Sequence, residues 1–174
     1  MSDKLPDMED GTSTIGGQLV YAADVDLTVL ERVYREIRST LGNVDIQHIG
    51  STAITGAITK GDIDICVRLR DTERALEALA ESGFKRKADT HQDEELFALE
   101  SSEFPNVGIQ LVKLGGRFDI FVAFRDQLNR TPELVFEYNK VKHENFSVGK
   151  DDYQKRKREF VARVLATLGI SHPD

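Results

Sequence analysis

The stretch His48-Ile49-Gly50-Ser51, followed downstream by Lys60-Gly61-Asp62-Ile63-Asp64-Ile65-Cys66-Val67, decides how this chain is read. From Asp62 to Leu69 polar and apolar residues alternate, which predicts a β-strand whose successive side chains point to opposite faces. Asp62 and Asp64 then share one face with Cys66 and Arg68, while Ile63, Ile65, Val67 and Leu69 share the other and pack on a core. Two carboxylates side by side on a rigid strand repel each other unless a cation lies between them. A hard divalent ion with oxygen ligands, Mg²⁺ in the first instance, relieves that repulsion and keeps positions open for phosphates. Upstream, Gly50-Ser51 offers backbone N–H groups and a hydroxyl, the ingredients of a phosphate cradle at a helix start. The same pair is ordinary helix-capping chemistry, and the two roles are compatible. The combination points to nucleotide chemistry.

Working outward, Leu19 to Tyr21 reads as a short extended segment. Asp24 or Asp26 then caps a helix in which Leu27, Leu30, Val33, Tyr34 and Ile37 recur at helical spacing. Gly42-Asn43 ends it, and 44–49 is a strand that delivers His48 to the Gly-Ser turn. Residues 51–59 are expected to form a short helix, and Asp71-Thr72-Glu73 opens another that stops at Gly83. Strands follow at 84–87, 96–99 and 107–112, and Gly115-Gly116 breaks the chain. The remainder is expected to be helical over 118–128, 132–145 and 151–168, with Thr131-Pro132 as a start signal. The fold class is therefore α+β: a small mixed sheet flanked by helices, with a helical C-terminal section. Residues 1–17, rich in Asp, Ser, Thr and Gly, read as a disordered leader, and 18–174 as a single domain.

Composition narrows the function classes. Lys+Arg 23 against Asp+Glu 30 gives a net charge of −7. That balance opposes general nucleic-acid binding, which rests on phosphate neutralisation, but leaves room for a local basic site for one nucleotide. The single cysteine, Cys66, allows no internal disulfide and suits a reducing cytoplasm. No apolar run is long enough to span a bilayer, and the N-terminus is polar and acidic rather than a secretory signal. His91, His143 and His172 show no metal-ligand spacing with one another or with Cys66.

Gly-Ser, a short connection and Asp-x-Asp on a strand resemble the signature of the DNA polymerase β-like nucleotidyltransferases. More narrowly, His48 to Gly56 through Asp64 resembles the GrpB family, a branch of that superfamily. A second block matches at 124–128, Pro132-Glu133-Leu134, Tyr138-Asn139-Lys140-Val141-Lys142 and 153–160. The resemblance implies Mg²⁺-dependent transfer of a nucleoside monophosphate from a nucleoside triphosphate to an acceptor. Asp62 and Asp64 would hold the metal and Gly50 and Ser51 the β- and γ-phosphates. Many family members keep only the second acid; this chain has both.

The superfamily also implies a third carboxylate on a neighbouring strand, acting as base. Here Gln110 stands where family members often carry His, and an amide cannot take a proton. Glu100, at the end of the preceding strand, is the substitute. Lys60 reads as a phosphate contact or a surface lysine, His48 as a phosphate contact or a half-buried histidine with a backbone partner. Arg68 is expected to pair with Asp62 or Asp64, Arg125 with Asp126, and the acidic run Asp93-Glu94-Glu95 to be a solvated loop. The resemblance adds Tyr138, Asn139, Lys142, Tyr153 and Lys157 as cleft-lining residues. A second class of function stays open: a non-catalytic module binding a nucleotide or a coenzyme A precursor, since family members occur fused to dephospho-coenzyme A kinase. An accessory domain with merely exposed acids is a third.

Overall fold

A computed structural model describes residues 19–88, 90, 92–144 and 150–173; the expected leader lies outside them. The core is a five-stranded sheet in the order β2-β4-β7-β6-β5, formed by β2 (Asp45–Ile49), β4 (Ile63–Leu69), β5 (Lys85–Arg86), β6 (Leu96–Glu100) and β7 (Val107–Lys113). β4 pairs parallel to β7 and antiparallel to β2, so the strand carrying Asp64 is internal. β1 (Val20–Tyr21) and β3 (Ile58–Thr59) form a separate antiparallel pair.

The alternation in β4 is what makes this sheet two-sided. Ile63, Ile65 and Val67 pack with Ile109, Leu111, Phe97 and Leu99 beneath α1 (Val29–Leu41) and α2 (Thr72–Glu81). Val33 and Ile37 of α1 and Ala75 and Leu79 of α2 complete that buried layer. The Asp71 carboxylate accepts from the Arg74 N–H, satisfying a donor at the start of α2. On the other face Ile49, Cys66, Leu96 and Val112 meet Phe118 and α3 (Phe121–Arg130). α3, α4 (Pro132–Glu144) and α5 (Lys150–Ala166) share a third layer built on Leu128, Val135, Tyr138, Phe160 and Val164. Phe160 stacks on Tyr138 and Phe124 meets both edge-on, which fixes how α5 crosses α3 and α4.

Two expectations differ: neither Asp24 nor Asp26 is the N-cap of α1, which is Thr28 with no side-chain cap, and the 51–59 helix does not form. Residues 51–59 form a single 3₁₀ turn, Ser51–Ala53, then a loop, then β3. Gly56 at φ 79° and the β-branched Ile54, Thr55, Ile58 and Thr59 leave no continuous helical run there. Tertiary partners hold the loop instead. Asn129 accepts from the Thr55 N–H and donates to the Ala53 carbonyl (2.8 and 3.0 Å). Asn139 likewise accepts from the Ile58 N–H and donates to the Gly56 carbonyl (2.9 Å each). Among the described residues, no helix is long and apolar enough to cross a membrane.

Candidate functional site

Gly50 turns the chain from β2 into the 3₁₀ turn at φ 72°, ψ −171°, a conformation open essentially to glycine. Close approach requires it too. A Cβ at Gly50 would fall 2.4 Å from Asp64 Oδ2, and one at Gly108 of β7 would fall 3.2 Å from Oδ1. The Asp64 carboxylate is thus bracketed by two glycine backbones, on β7 beside it and on the turn above it. Register places Ile49 opposite Asp64 and His48 opposite Ile65, so His48 belongs to the other face of the sheet.

Ser51 is reached from α4. The Lys142 ammonium donates to Ser51 Oγ and, at 2.6 Å, to the Ile58 carbonyl, and it lies 4.4 Å from the centre of the Tyr138 ring. With its residue only 8% exposed, Lys142 is pulled down to about 7, first by burial and then by the charge of Lys157, against the opposing pull of Asp64. Burial is likewise the main reason Asp64 is raised above its ordinary value. Lys157 pulls it back, Asp62 pushes it further up, and Lys87 and Lys142 oppose.

These groups surround two cavities. A polar one of about 160 Å³ is lined by Ser51, Thr59, Lys60, Asp62, Asp64, Lys142, Tyr153 and Lys157, with Leu19 at its edge. An aromatic one of about 360 Å³ is lined by Ile49, Gly50, Gln110, Ile120, Phe121, Phe124, Tyr138 and Val161, with Gln154, Arg158 and His172. Asp64 and Lys157 line both and stand between them.

Of the residues singled out in the sequence, Gly50, Ser51, Lys60, Asp62 and Asp64 therefore come together, joined by Lys142, Tyr153 and Lys157. Tyr138 lines the aromatic cavity, and Asn139 holds the loop. His48 does not line either cavity; its Nε2 bonds Thr52 Oγ1 at 2.8 Å. Burial, then the charge of Arg125, push that imidazole below its ordinary value. Glu100 is exposed at the end of β6 and also lines neither cavity. It falls on the Asp64 face, because Ala98 pairs with Gln110 and Gln110 with Cys66.

Arg68 departs from expectation. It donates to Asp119 (2.7 and 2.9 Å) and Asp45 (2.8 Å), not to Asp62 or Asp64. Asp45 is its cross-strand partner, and on a pleated strand Asp64 is too far along the same face to compete. Arg125 does pair with Asp126, and it also donates to the His48 carbonyl at 2.6 Å, tying α3 to the strand just before the Gly50 turn. Asp93 and Glu95 bind Arg117 rather than standing idle in solvent. Cys66 is buried and its thiol is pushed up to about 12, first by burial and next by the charge of Asp119, as befits a packing residue. His91 lies outside the described residues. The contributions of Asn129 and His172 carried no sequence signal, because each depends on a partner distant in the chain.

Residues 28–167 match the GrpB protein family. The chain belongs to the GrpB family. It is 38% identical over 151 residues to a UPF0157 protein of Vibrio cholerae, covering 83% of this chain and 80% of that one. The crystal structure of the conserved protein GrpB from Enterococcus faecalis is similar with a TM-score of 0.64 at 16% identity, over 83% of this chain and 97% of that one. Cid1 poly(U) polymerase gives a TM-score of 0.45 at 14% identity, over 65% of this chain and 38% of that one. The GrpB match spans α1 to the end of α5, and so includes every residue of the polar cavity except Leu19.

Proposed function

We propose that the protein binds a nucleoside triphosphate beside Gly50 and Ser51 and, with Mg²⁺, transfers its nucleoside monophosphate to an acceptor hydroxyl. The supporting observation is the convergence of Asp62, Asp64, Ser51, Lys60, Lys142 and Lys157 on one small polar cavity. Carboxylates alone would repel a polyphosphate, and lysines alone would hold any anion. The mixed set suits a polyphosphate that carries a divalent cation.

The donors fit Mg²⁺. Asp62 and Asp64 supply hard oxygen atoms, and the upward push of Asp62 on Asp64 is the repulsion a cation would relieve. They would hold the ion, with its remaining positions left to water and phosphate; among the described residues no third His, Cys, Asp or Glu joins them. Bound there, Mg²⁺ would neutralise charge on the phosphates and on the departing pyrophosphate. The chain's own residues supply the rest. Ser51 and the turn backbone position the terminal phosphates, and Lys142 and Lys157 approach from two different helices as counter-charges. Gly50 keeps the turn close to Asp64, so that the turn backbone and the carboxylate would face the same bound group.

A second reading, a non-catalytic module for a nucleotide or coenzyme A precursor, is favoured by Gln110. That amide lines the aromatic cavity beside Asp64 and takes no proton, and among the described residues no carboxylate beyond Asp62 and Asp64 lines either cavity. Calorimetry with ATP, GTP, CTP and UTP, with and without Mg²⁺, tests both readings. Metal-dependent binding lost in the Asp62→Asn/Asp64→Asn protein supports the site, and binding unaffected by that change rejects it. Pyrophosphate release then separates the transferase from the binding module.

A further inference from the structure

We propose that His172, carried back to the site by the C-terminal tail, takes the proton from the attacking hydroxyl. This rests on the nucleotidyl-transfer reading above.

The tail reaches the site through a specific reversal. Past α5 the Ile170 N–H donates to the Leu165 carbonyl (3.1 Å) and the Gly169 N–H to the Ala166 carbonyl (3.0 Å). Gly169 adopts φ 71°. This is the paired-bond, left-handed glycine stop of a Schellman motif, which turns the chain back on its own helix. His172 consequently lies half-buried in the aromatic cavity beside Lys157, Arg158 and Val161 of α5, and that cavity also holds Asp64 and Gln110.

In-line displacement at phosphorus sets the incoming and departing oxygens on opposite sides. Asp64 and Lys157 divide the two cavities. Ser51, Lys60 and Lys142 fall on the polar side, where a departing pyrophosphate finds its counter-charges. The attacking oxygen then enters from the aromatic side. Gln110 there has no proton-accepting role, and Glu100 and His48 are elsewhere. Among the described residues His172 is the one imidazole lining either cavity, and imidazole is the side chain that most often performs this task. The step balances simply. The acceptor O–H proton passes to an imidazole nitrogen, the oxygen bonds to the α-phosphorus, and the bond from that phosphorus to the bridging oxygen breaks, releasing pyrophosphate.

The experiment uses the full chain with Mg²⁺ and ATP, GTP, CTP or UTP, water serving as acceptor, and reads pyrophosphate release alongside calorimetric binding. In His172→Ala and His172→Gln the release rate is expected to fall about 100-fold or more while the nucleotide Kd changes less than about twofold. Added imidazole restores part of the rate in His172→Ala, which a merely structural histidine would not permit. An unchanged rate in both variants overturns the assignment. So does a wild-type protein that binds Mg²⁺–nucleotide but releases no pyrophosphate, with the nucleotide site left standing. Absence of any nucleotide binding overturns the underlying transfer reading as well.

Discussion

Asp64 and Arg68 lie on the same face of one strand and carry opposite fates. At the Arg68 end every charge terminates on a partner: the guanidinium meets Asp119 and Asp45, and Asp119 also accepts from the Gly115 N–H at 2.9 Å. Although burial would raise Asp119, the Arg68 hydrogen bonds, the Gly115 N–H and the Arg68 charge together hold it below its ordinary value. At the Asp64 end Asp62 and Asp64 share a cavity with Lys60, Lys142 and Lys157, and there burial outweighs the neighbouring lysines and leaves Asp64 above its ordinary value. A structural ion network cancels its own field, whereas acids and lysines gathered round one cavity shift one another's protonation, the setting in which functional sites are commonly found. Lys142 makes the same point, since burial holds its amine down to about 7, and the proposed phosphate would stabilise its charged form.

The contrast can be broken from either end. The largest effect is expected for Gly50→Ala, whose methyl group would collide with Asp64 Oδ2 in a backbone conformation that resists any side chain. Calorimetry should show nucleotide affinity down about 100-fold, with thermal unfolding revealing a cost of about 1–3 kcal/mol. Arg68→Ala should do the reverse. Asp119, with its side chain 9% exposed, loses its guanidinium, so urea denaturation should register a loss of about 2 kcal/mol while nucleotide affinity stays unchanged. A large loss of affinity there would erase the distinction between the two ends.

Lys142→Met sharpens the comparison through pH. The native amine gives up its proton near pH 7, whereas the unfolded chain keeps it to about 10.5. The lysine therefore costs the native state most below pH 7, and that cost fades as pH rises toward 10.5. The urea-midpoint difference between wild type and Lys142→Met should move in favour of wild type as pH is raised from 7 to 9. Asn129→Ala, which frees the Thr55 N–H and the Ala53 carbonyl, should cost about 1 kcal/mol, with a modest weakening of nucleotide binding. Arg32→Ala removes an exposed pair with Glu103 and should change the urea midpoint by less than about 0.5 kcal/mol, setting the baseline for a surface ion pair.

Much of the candidate site's grouping was legible because its signals are local. Alternation from Asp62 to Leu69 is a two-residue pattern, and it located an internal strand with acids on one face. Thr131-Pro132 marked the start of α4. Lys142, Tyr153 and Lys157 were reached through resemblance rather than pattern, since nothing in their own helices distinguishes them from surface residues. The 51–59 segment was misread because capping residues signal a helix start without specifying its length. Gly56 and two distant asparagines decided the rest. Arg68 was paired with the nearer acids in sequence, while the antiparallel register brought Asp45 across from it.

By itself, the chain determined most of its elements outside 51–59, the apolar face of β4 and the identity of the two carboxylates, because each depends on periodicity or on a turn residue within a few positions. Tertiary structure decided which charges remain available. Whether a lysine is an ordinary surface cation or a buried one held near 7, and whether His172 trails into solvent or lines a cavity beside Asp64, depends on burial and field. Those properties belong to the packed arrangement of α4, α5 and the sheet, and no single segment carries them.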